Sequence, residues 1–434
     1  MSERSFRQSM HLRWHRIWLP RLRRRALFLV GGVVVGIAAL VMAFVADFAI
    51  DTFAHWQRQW PYMPLLVTPL GFAGLSWLTK RYFDGAQGSG IPQVIAARQL
   101  NDLKRKGGLV SPVLAVAKMA LLAAGLFAGA SAGREGPTVQ VGASIMYWLG
   151  RFAPHRQPGL LLAGGAAGVA AAFNAPLAGV VFGIEEMSRS FELRTSGLVL
   201  GTVIVAGLVP LAVVGDYTYF GRSDIALSVV SEWIWIVPIT ALCGLAGGAF
   251  SRLLIAFTDG LPGRAGRWIA ANPVLFAAGC GLGVALCGVL TQGSVFGTSA
   301  EHAKAIMAGE GAPIAFGPLK FLATLLTSVS GIPGGIFSPS LAVGAGIAEL
   351  FADIAPVPIA ALTIVCMAAY LAAVLQAPIT AFVIVTEMTG NHALIFPVML
   401  GALIASFTSK LVCREGVYHA LAKRLLARGE KAPQ

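Results

Sequence analysis

The sequence predicts an all-α, polytopic membrane protein, and three observations carry that prediction. Hydrophobic residues make up 56% of the 434-residue chain and charged residues only 12%, with a mean hydropathy of +0.73. Soluble domains carry about 25% charged residues. The apolar residues fall into a long succession of runs separated by short polar loops, as in one helical bundle of many crossings rather than three soluble domains. Finally, the chain holds 51 glycines and 23 prolines. Irregular backbone at membrane depth must line a cavity or be buried in protein, so this content predicts broken or re-entrant helices rather than a plain bundle.

The net charge of +13 is not a nucleic-acid signal, because much of the excess flanks the apolar region. Arg4, Arg7, Arg13, Arg16, Arg21, Arg23, Arg24 and Arg25 precede the first apolar run, and Lys410, Arg414, Lys423, Arg424, Arg428 and Lys431 close the chain. Basic flanks mark the cytoplasmic side of spanning helices, which predicts two cytoplasmic termini and an even number of full crossings. Residues 1–25 are read as a basic N-terminal segment, 26–418 as the membrane domain with halves over about 26–215 and 231–412, and 419–434 as a C-terminal tail. The run 26–46 is too long for a signal peptide and is read as the first spanning helix. Cys243, Cys280, Cys287, Cys366 and Cys413 stand singly without ligand spacing, as core or interface thiols do. No metal or cofactor is expected.

In order, the first helix covers about 26–50, and an aromatic linker, Trp56 to Pro64, leads to a second helix near 64–80. A polar loop, 84–92, precedes an amphipathic stretch to Leu103, and Lys104 to Gly108 reads as a basic loop. Apolar helices follow over about 110–130, 138–150, 159–170, 174–188, 195–215, 231–257 and 272–292. The stretch 291–314 reads as a polar, glycine-rich loop. The last block, 317–329, 338–352, 358–372, 376–388 and 393–412, repeats the style of the middle. Several of these runs fall short of the ~20 residues a span needs. Short, glycine- or proline-interrupted segments of this kind point to a transport site.

The resemblance between blocks is a true internal repeat. Shifted by 202 residues, 133–145 falls on 335–347 with six of thirteen pairs identical. The same register places Lys118 on Lys320, Gly129 on Gly331, Ala175-Pro176 on Ala377-Pro378, and Glu185 on Glu387. Two repeats with a site at their interface are the mark of many transporter folds. Sequence does not say whether the halves are inverted.

The chemistry concentrates in three loops. Gly133-Arg134-Glu135-Gly136-Pro137 sets two charges into apolar surroundings, where each costs about 3 kcal/mol or more, so function is the default reading. Gly88-Ser89-Gly90-Ile91-Pro92 and Gly334-Gly335-Ile336-Phe337-Ser338-Pro339 are similarly short of bulk and end at a proline. Proline near a helix start loses nothing, because its N–H would be unsatisfied there anyway. The free N–H groups and the positive dipole end at such starts make an anion site. Ser89 adds a hydroxyl donor, and Gly334, Gly335, Ile336 and Phe337 offer backbone amides. Without a lysine clamp the trio suits a small anion that must also leave, whereas phosphate would recruit more arginine or lysine. Close helix packing alone explains any one such loop but explains three poorly. Arg134 reads as a structural donor to carbonyls; Lys118 and Lys320 read equally as pathway, paired or snorkelling cations. Glu387 and Glu185 share a structural role at a helix end.

These three loops, in this order, resemble the signature loops of the CLC chloride channel and transporter family, and the resemblance covers the chain from about residue 30 to Tyr418. It implies a homodimer with one anion pathway per subunit, each subunit built from two inverted repeats of tilted and partial helices. By position, Ser89 and Tyr418 resemble the family's hydroxyl ligands for the central chloride, and Ile336 and Phe337 its backbone-amide ligands. Glu135 resembles the gating glutamate, which competes with the anion until it is protonated, and Glu186 the internal glutamate that feeds protons in the family's exchangers. The resemblance thus implies a chloride/proton antiporter in the bacterial inner membrane, with chloride, protons and lipid as partners and no nucleic acid. A passive, gated chloride channel is the alternative, in which Glu186 is a membrane-interface carboxylate paired near Arg189 or Arg194. A more remote one is an intramembrane enzyme using Glu135 as general base, for which no paired nucleophile or metal cluster is seen.

Departures from the family pattern are few. Gln93 follows the first loop where many members have glutamate. Nitrate-preferring relatives have proline in place of Ser89, and fluoride exporters differ in the first and third loops, so the pattern favours chloride. The residues after Tyr418 leave no room for paired cytoplasmic nucleotide-sensing domains.

Overall fold

The structure, a computed structural model, describes residues 19–188, 196–215, 218–221, 223–227 and 229–431. Arg4, Arg7, Arg13, Arg16, Arg189 and Arg194 lie outside them. Among the described residues the chain is all-α, with only isolated β-bridges between loops.

The first half contains α1 (Leu19–Gln59), α2 (Pro64–Tyr82), α3 (Ile91–Gln99), α4 (Leu103–Leu109), α5 (Pro112–Phe127), α6 (Glu135–Leu149), α7 (Gln157–Phe173), α8 (Pro176–Phe182), which runs into a π-helical turn at Gly183–Ser188, and α9 (Ser196–Val214). The second contains α10 (Val230–Asp259), α11 (Gly263–Ala271), α12 (Pro273–Leu290), α13 (Ala300–Ala308), α14 (Phe316–Val329), α15 (Phe337–Glu349), α16 (Ile359–Leu375), α17 (Pro378–Thr389) and α18 (Ile395–Val412). A last helix, α19 (Val417–Lys431), follows. Among the described residues, six stretches are long and apolar enough to cross a membrane, α1, α9, α10, α12, α18 and the run Leu103–Phe127, while α14, α16 and α17 are apolar but shorter.

The structure revises several expected boundaries. The first helix begins at Leu19, so Arg21 and Arg23–Arg25 belong to it, and it continues through Trp56, shortening the aromatic linker to a turn. Residues 104–108 are helical: Asp102 accepts from Lys104 N–H at 2.8 Å and starts α4 as an N-cap. The stretch from Ile91 is not amphipathic, because Ile91 through Ala97 are all buried. The polar stretch 291–314 contains α13. All five cysteines are buried free thiols.

The repeat is built into the backbone. α7 and α16, apolar on every side and almost wholly buried, form the cores of the two halves. Each ends on a left-handed residue, Asn174 at φ 52° and Gln376 at φ 56°, and each is followed by Ala-Pro opening the next helix. The halves meet reciprocally. Gly133 and Gly335, equivalent by the 202-residue register, exchange both N–H···O bonds at 2.8 Å. Glu387 accepts from Leu177 N–H (3.1 Å) and Ala178 N–H (2.6 Å), while Glu185 accepts from Ile379 N–H (3.2 Å) and Thr380 N–H (2.6 Å). Each half's glutamate therefore caps the exposed first turn of the other half's helix, an isologous arrangement about a pseudo-twofold axis. This is the shared helix-end role expected of the pair. Because the two caps are equivalent, Glu185→Ala and Glu387→Ala should each cost about 1–3 kcal/mol. Thermal unfolding in detergent should show similar drops for both, and a drop in only one would contradict the symmetry.

Candidate functional site

Glycines and prolines bring the three loops to one place by leaving backbone, rather than side chains, at the contacts. Gly88 N–H donates to Ile332 O (3.2 Å) and Gly334 N–H to Gly88 O (3.1 Å), which ties the first loop to the third. The Gly133–Gly335 pair ties the second to the third. These bonds revise one expectation: the amides of Gly334 and Gly335 hold the loops together and are not offered to an anion. Ile336 and Phe337 keep that capacity, since among the described residues neither N–H has an acceptor. Gly90, at φ 97°, is the N-cap of α3 and lies against Gln140; a β-carbon there would be strained by conformation and blocked by that side chain. Gly136 leaves room for Ser89, whose Oγ a β-carbon at that position would strike.

Lys118 explains why the first loop turns its N–H groups one way. It is fully buried on α5, and its Nζ donates to Gly88 O (2.5 Å), Ala86 O (2.8 Å) and Gln87 O (3.5 Å). The loop's carbonyls are thereby drawn toward α5. Lys320, on the equivalent α14, donates in the same way to Val295 O (3.0 Å) and Gly297 O (2.8 Å), and to Ser131 Oγ (2.9 Å). Both lysines thus spend their ammonium groups on buried loop carbonyls. Arg134 donates from Nη1 to Ala43 O (3.0 Å), the structural role expected of it, and also pairs with Asp47 at 2.5 Å.

On this frame the candidate side chains converge. Ser89 Oγ and Tyr418 Oη lie 3.5 Å apart, and Tyr418 is fully buried near the start of α19. The Phe337 ring stacks on Tyr418 with centroids 6.0 Å apart, and Phe173 and Phe182 close round it at 5.7 and 5.9 Å. This apolar sleeve lowers the polarity around the Tyr418 side of the pair and strengthens any charge–dipole contact made there. Ser89, Ile336 and Tyr418 also line a cavity of about 250 Å³ that extends to Arg424. Arg134 and Tyr219 line a second cavity, of about 670 Å³, together with Asp47, His302 and Lys304. Between Arg134 on that wall and Gly136 against Ser89 stands Glu135, 0% exposed at the first position of α6. Its Oε1 accepts from Ser338 Oγ at 2.5 Å, while Oε2 has no hydrogen-bond partner among the described residues.

Glu186 is 3% exposed on the π-helical turn after α8. Its Oε1 lies 3.1 Å from Nδ1 of His419, the residue after Tyr418. Each buried carboxylate is thus one chain neighbour away from a hydroxyl residue: Glu135 precedes Gly136, which packs on Ser89, and Glu186 bonds His419, which follows Tyr418.

The voltage gated chloride channel profile matches residues 70–410, a span that includes the three loops, Glu135 and Glu186. The chain belongs to the CLC family. Among its relatives, the H(+)/Cl(-) exchange transporter ClcA of Klebsiella pneumoniae is 32% identical over 408 residues, covering 87% of this chain and 81% of that protein. The ClcA of Cronobacter sakazakii is 32% identical over 441 residues, covering 93% and 90%. The structure of a slow cyanobacterial Cl-/H+ antiporter superposes with a TM-score of 0.76 at 26% identity, over 93% of this chain and 99% of that one. A CLC-type fluoride/proton antiporter also superposes with a TM-score of 0.76, over 92% and 98% of the two chains; at 22% identity it speaks to the fold alone.

This CLC chain also uses residues that loop patterns do not reveal. The bond from Ser338 to Glu135 and those from Arg134 to Asp47 and His419 to Glu186 join side chains far apart in sequence, and nothing in local spacing announces them. Phe173 and Phe182 look like ordinary core aromatics until Phe337 is placed between them and Tyr418. Glu186 lies one residue beyond the Glu185–Glu387 register, and that offset is the only sequence signal separating it from its capping neighbour.

Proposed function

We propose that this CLC chain exchanges chloride for protons across a bilayer. Chloride sits between the Ser89 and Tyr418 hydroxyls and the N–H groups of Ile336 and Phe337, at the positive end of α15. A carboxylate mimics chloride in such a seat, and protonation ends the mimicry, so Glu135 closes the anion path when charged and leaves it when neutral. Glu186 carries protons from the other end, by a branch that chloride does not follow. The observation that bears most on exchange rather than passive flow is the pair of buried carboxylates, each one chain neighbour away from a hydroxyl residue. The relatives named as H(+)/Cl(-) exchange transporters point the same way. The rest of the proposal is a homodimer with one pathway per subunit, in the inner membrane, with both termini cytoplasmic.

The deciding experiment is reconstitution into liposomes under a chloride gradient with simultaneous chloride and proton recording. Exchange predicts protons driven against their own gradient; chloride flux without proton movement would return the protein to the passive-channel reading. Glu186→Gln, which keeps shape and loses the titrating oxygen, should cut proton flux at least about tenfold while chloride continues to move. Unchanged coupling in that variant would remove Glu186 from the proton path.

A further inference from the structure

Glu186 is buried, and a buried carboxylate that turns over protons needs a group that brings them to it. The structure offers one at hydrogen-bonding distance. His419 Nδ1 lies 3.1 Å from Glu186 Oε1, and the imidazole lines a cavity of about 260 Å³ with Lys410, Arg414 and Lys423 around it. Other charged groups stand near the pair. Glu185 on the same turn holds the first N–H groups of α17, and Glu415 pairs with Lys423 at 2.6 Å. Arg98, from α3, donates to the carbonyl of Met187 next to Glu186. Lys410 and Arg414, at the end of α18 and just beyond it, flank the same cavity. Of these side chains, the imidazole has two ring nitrogens, one able to accept a proton while the other donates.

We propose that His419 is the proton relay between solvent and Glu186, a role that rests on Glu186 being the internal proton carrier. One ring nitrogen takes a proton from water in the cavity while Nδ1 passes its own to Glu186 Oε1; the reverse sequence discharges Glu186.

The test uses the full chain in liposomes, with pH equal on both faces and stepped from about 5 to 8, across the range in which histidine titrates. In His419→Gln and His419→Ser the exchange rate should fall about tenfold at pH 7.5 yet stay within about twofold of the unmodified protein at pH 5, where protons are abundant. Chloride flux in the proton-independent Glu135→Ala background should be the same with and without His419→Gln. An unaltered pH profile in both His419 variants overturns the relay. Reduced chloride flux in the double variant also overturns it, by assigning His419 a structural role. If the unmodified protein moves no protons at all, it is the exchange reading that fails, and the two failures are told apart in one preparation.

Discussion

Glu135→Gln should abolish proton movement while chloride still crosses, and no other single substitution should have so large an effect on coupling. The carboxylate is fully buried, held by Ser338 Oγ at 2.5 Å, with Oε2 lacking any hydrogen-bond partner among the described residues. An unpartnered carboxylate oxygen at this depth is costly, by about 1–3 kcal/mol or more, unless something favourable replaces the missing donor. The free amides at the starts of α6 and α15 supply positive potential there, which favours either this carboxylate or an anion in its place. Glutamine has no charge with which to compete and no proton to carry. Proteoliposomes of Glu135→Gln should therefore show a proton-to-chloride flux ratio near zero, with chloride flux persisting and no longer dependent on pH. Retained uphill proton pumping in this variant would refute the gate assignment.

How much of this was legible in the sequence depends on which atoms do the work. The three loops were legible because glycine and proline constrain backbone, and backbone placement is local. The equivalence of Glu185 with Glu387, and of Lys118 with Lys320, was legible from one ungapped register, whereas its pseudo-twofold sense was not. That register breaks toward the N-terminal side of each half. Gly88 and Gly90, at φ 58° and 97°, answer to Gly297 and Ser299, at φ 62° and 58°, an offset of 209 rather than 202 residues. The matching lysine bonds, to Ala86 and Gly88 in one half and Val295 and Gly297 in the other, show the equivalence that the shifted spacing concealed. The short helix at Lys104 read as a loop because all five residues from 104 to 108 are basic or glycine, whereas one aspartate cap decides the matter. Least legible was how donors are shared. Four consecutive amides from Gly334 to Phe337 look alike in sequence, and only the loop-to-loop bonds separate the two that hold the frame from the two that stay free.

The same division of labour makes Lys118 the residue whose loss should do most damage to the frame itself. Lys118→Met keeps most of the side-chain volume and removes the donors that satisfy Ala86 O and Gly88 O. Gly88 O keeps its bond from Gly334 N–H, but Ala86 O is left with its full desolvation penalty, so the variant should lose about 1–3 kcal/mol. The consequence is functional as well. With its carbonyls released from α5, the loop no longer fixes Ser89 3.5 Å from Tyr418 Oη, and Gly88 loses part of what aligns it with Ile332 and Gly334. Thermal unfolding in detergent should show a lower midpoint, and calorimetric titration at a temperature where the variant is folded should show chloride affinity weakened about tenfold or more, the effect of about 1.4 kcal/mol. Lys320→Met provides the internal control. It breaks the equivalent bonds on a loop that does not carry Ser89, so it should lower the unfolding midpoint while leaving chloride affinity within about twofold, a difference under about 0.5 kcal/mol. If both variants weaken chloride equally, the lysines act through general stability and the positioning role of Lys118 is wrong.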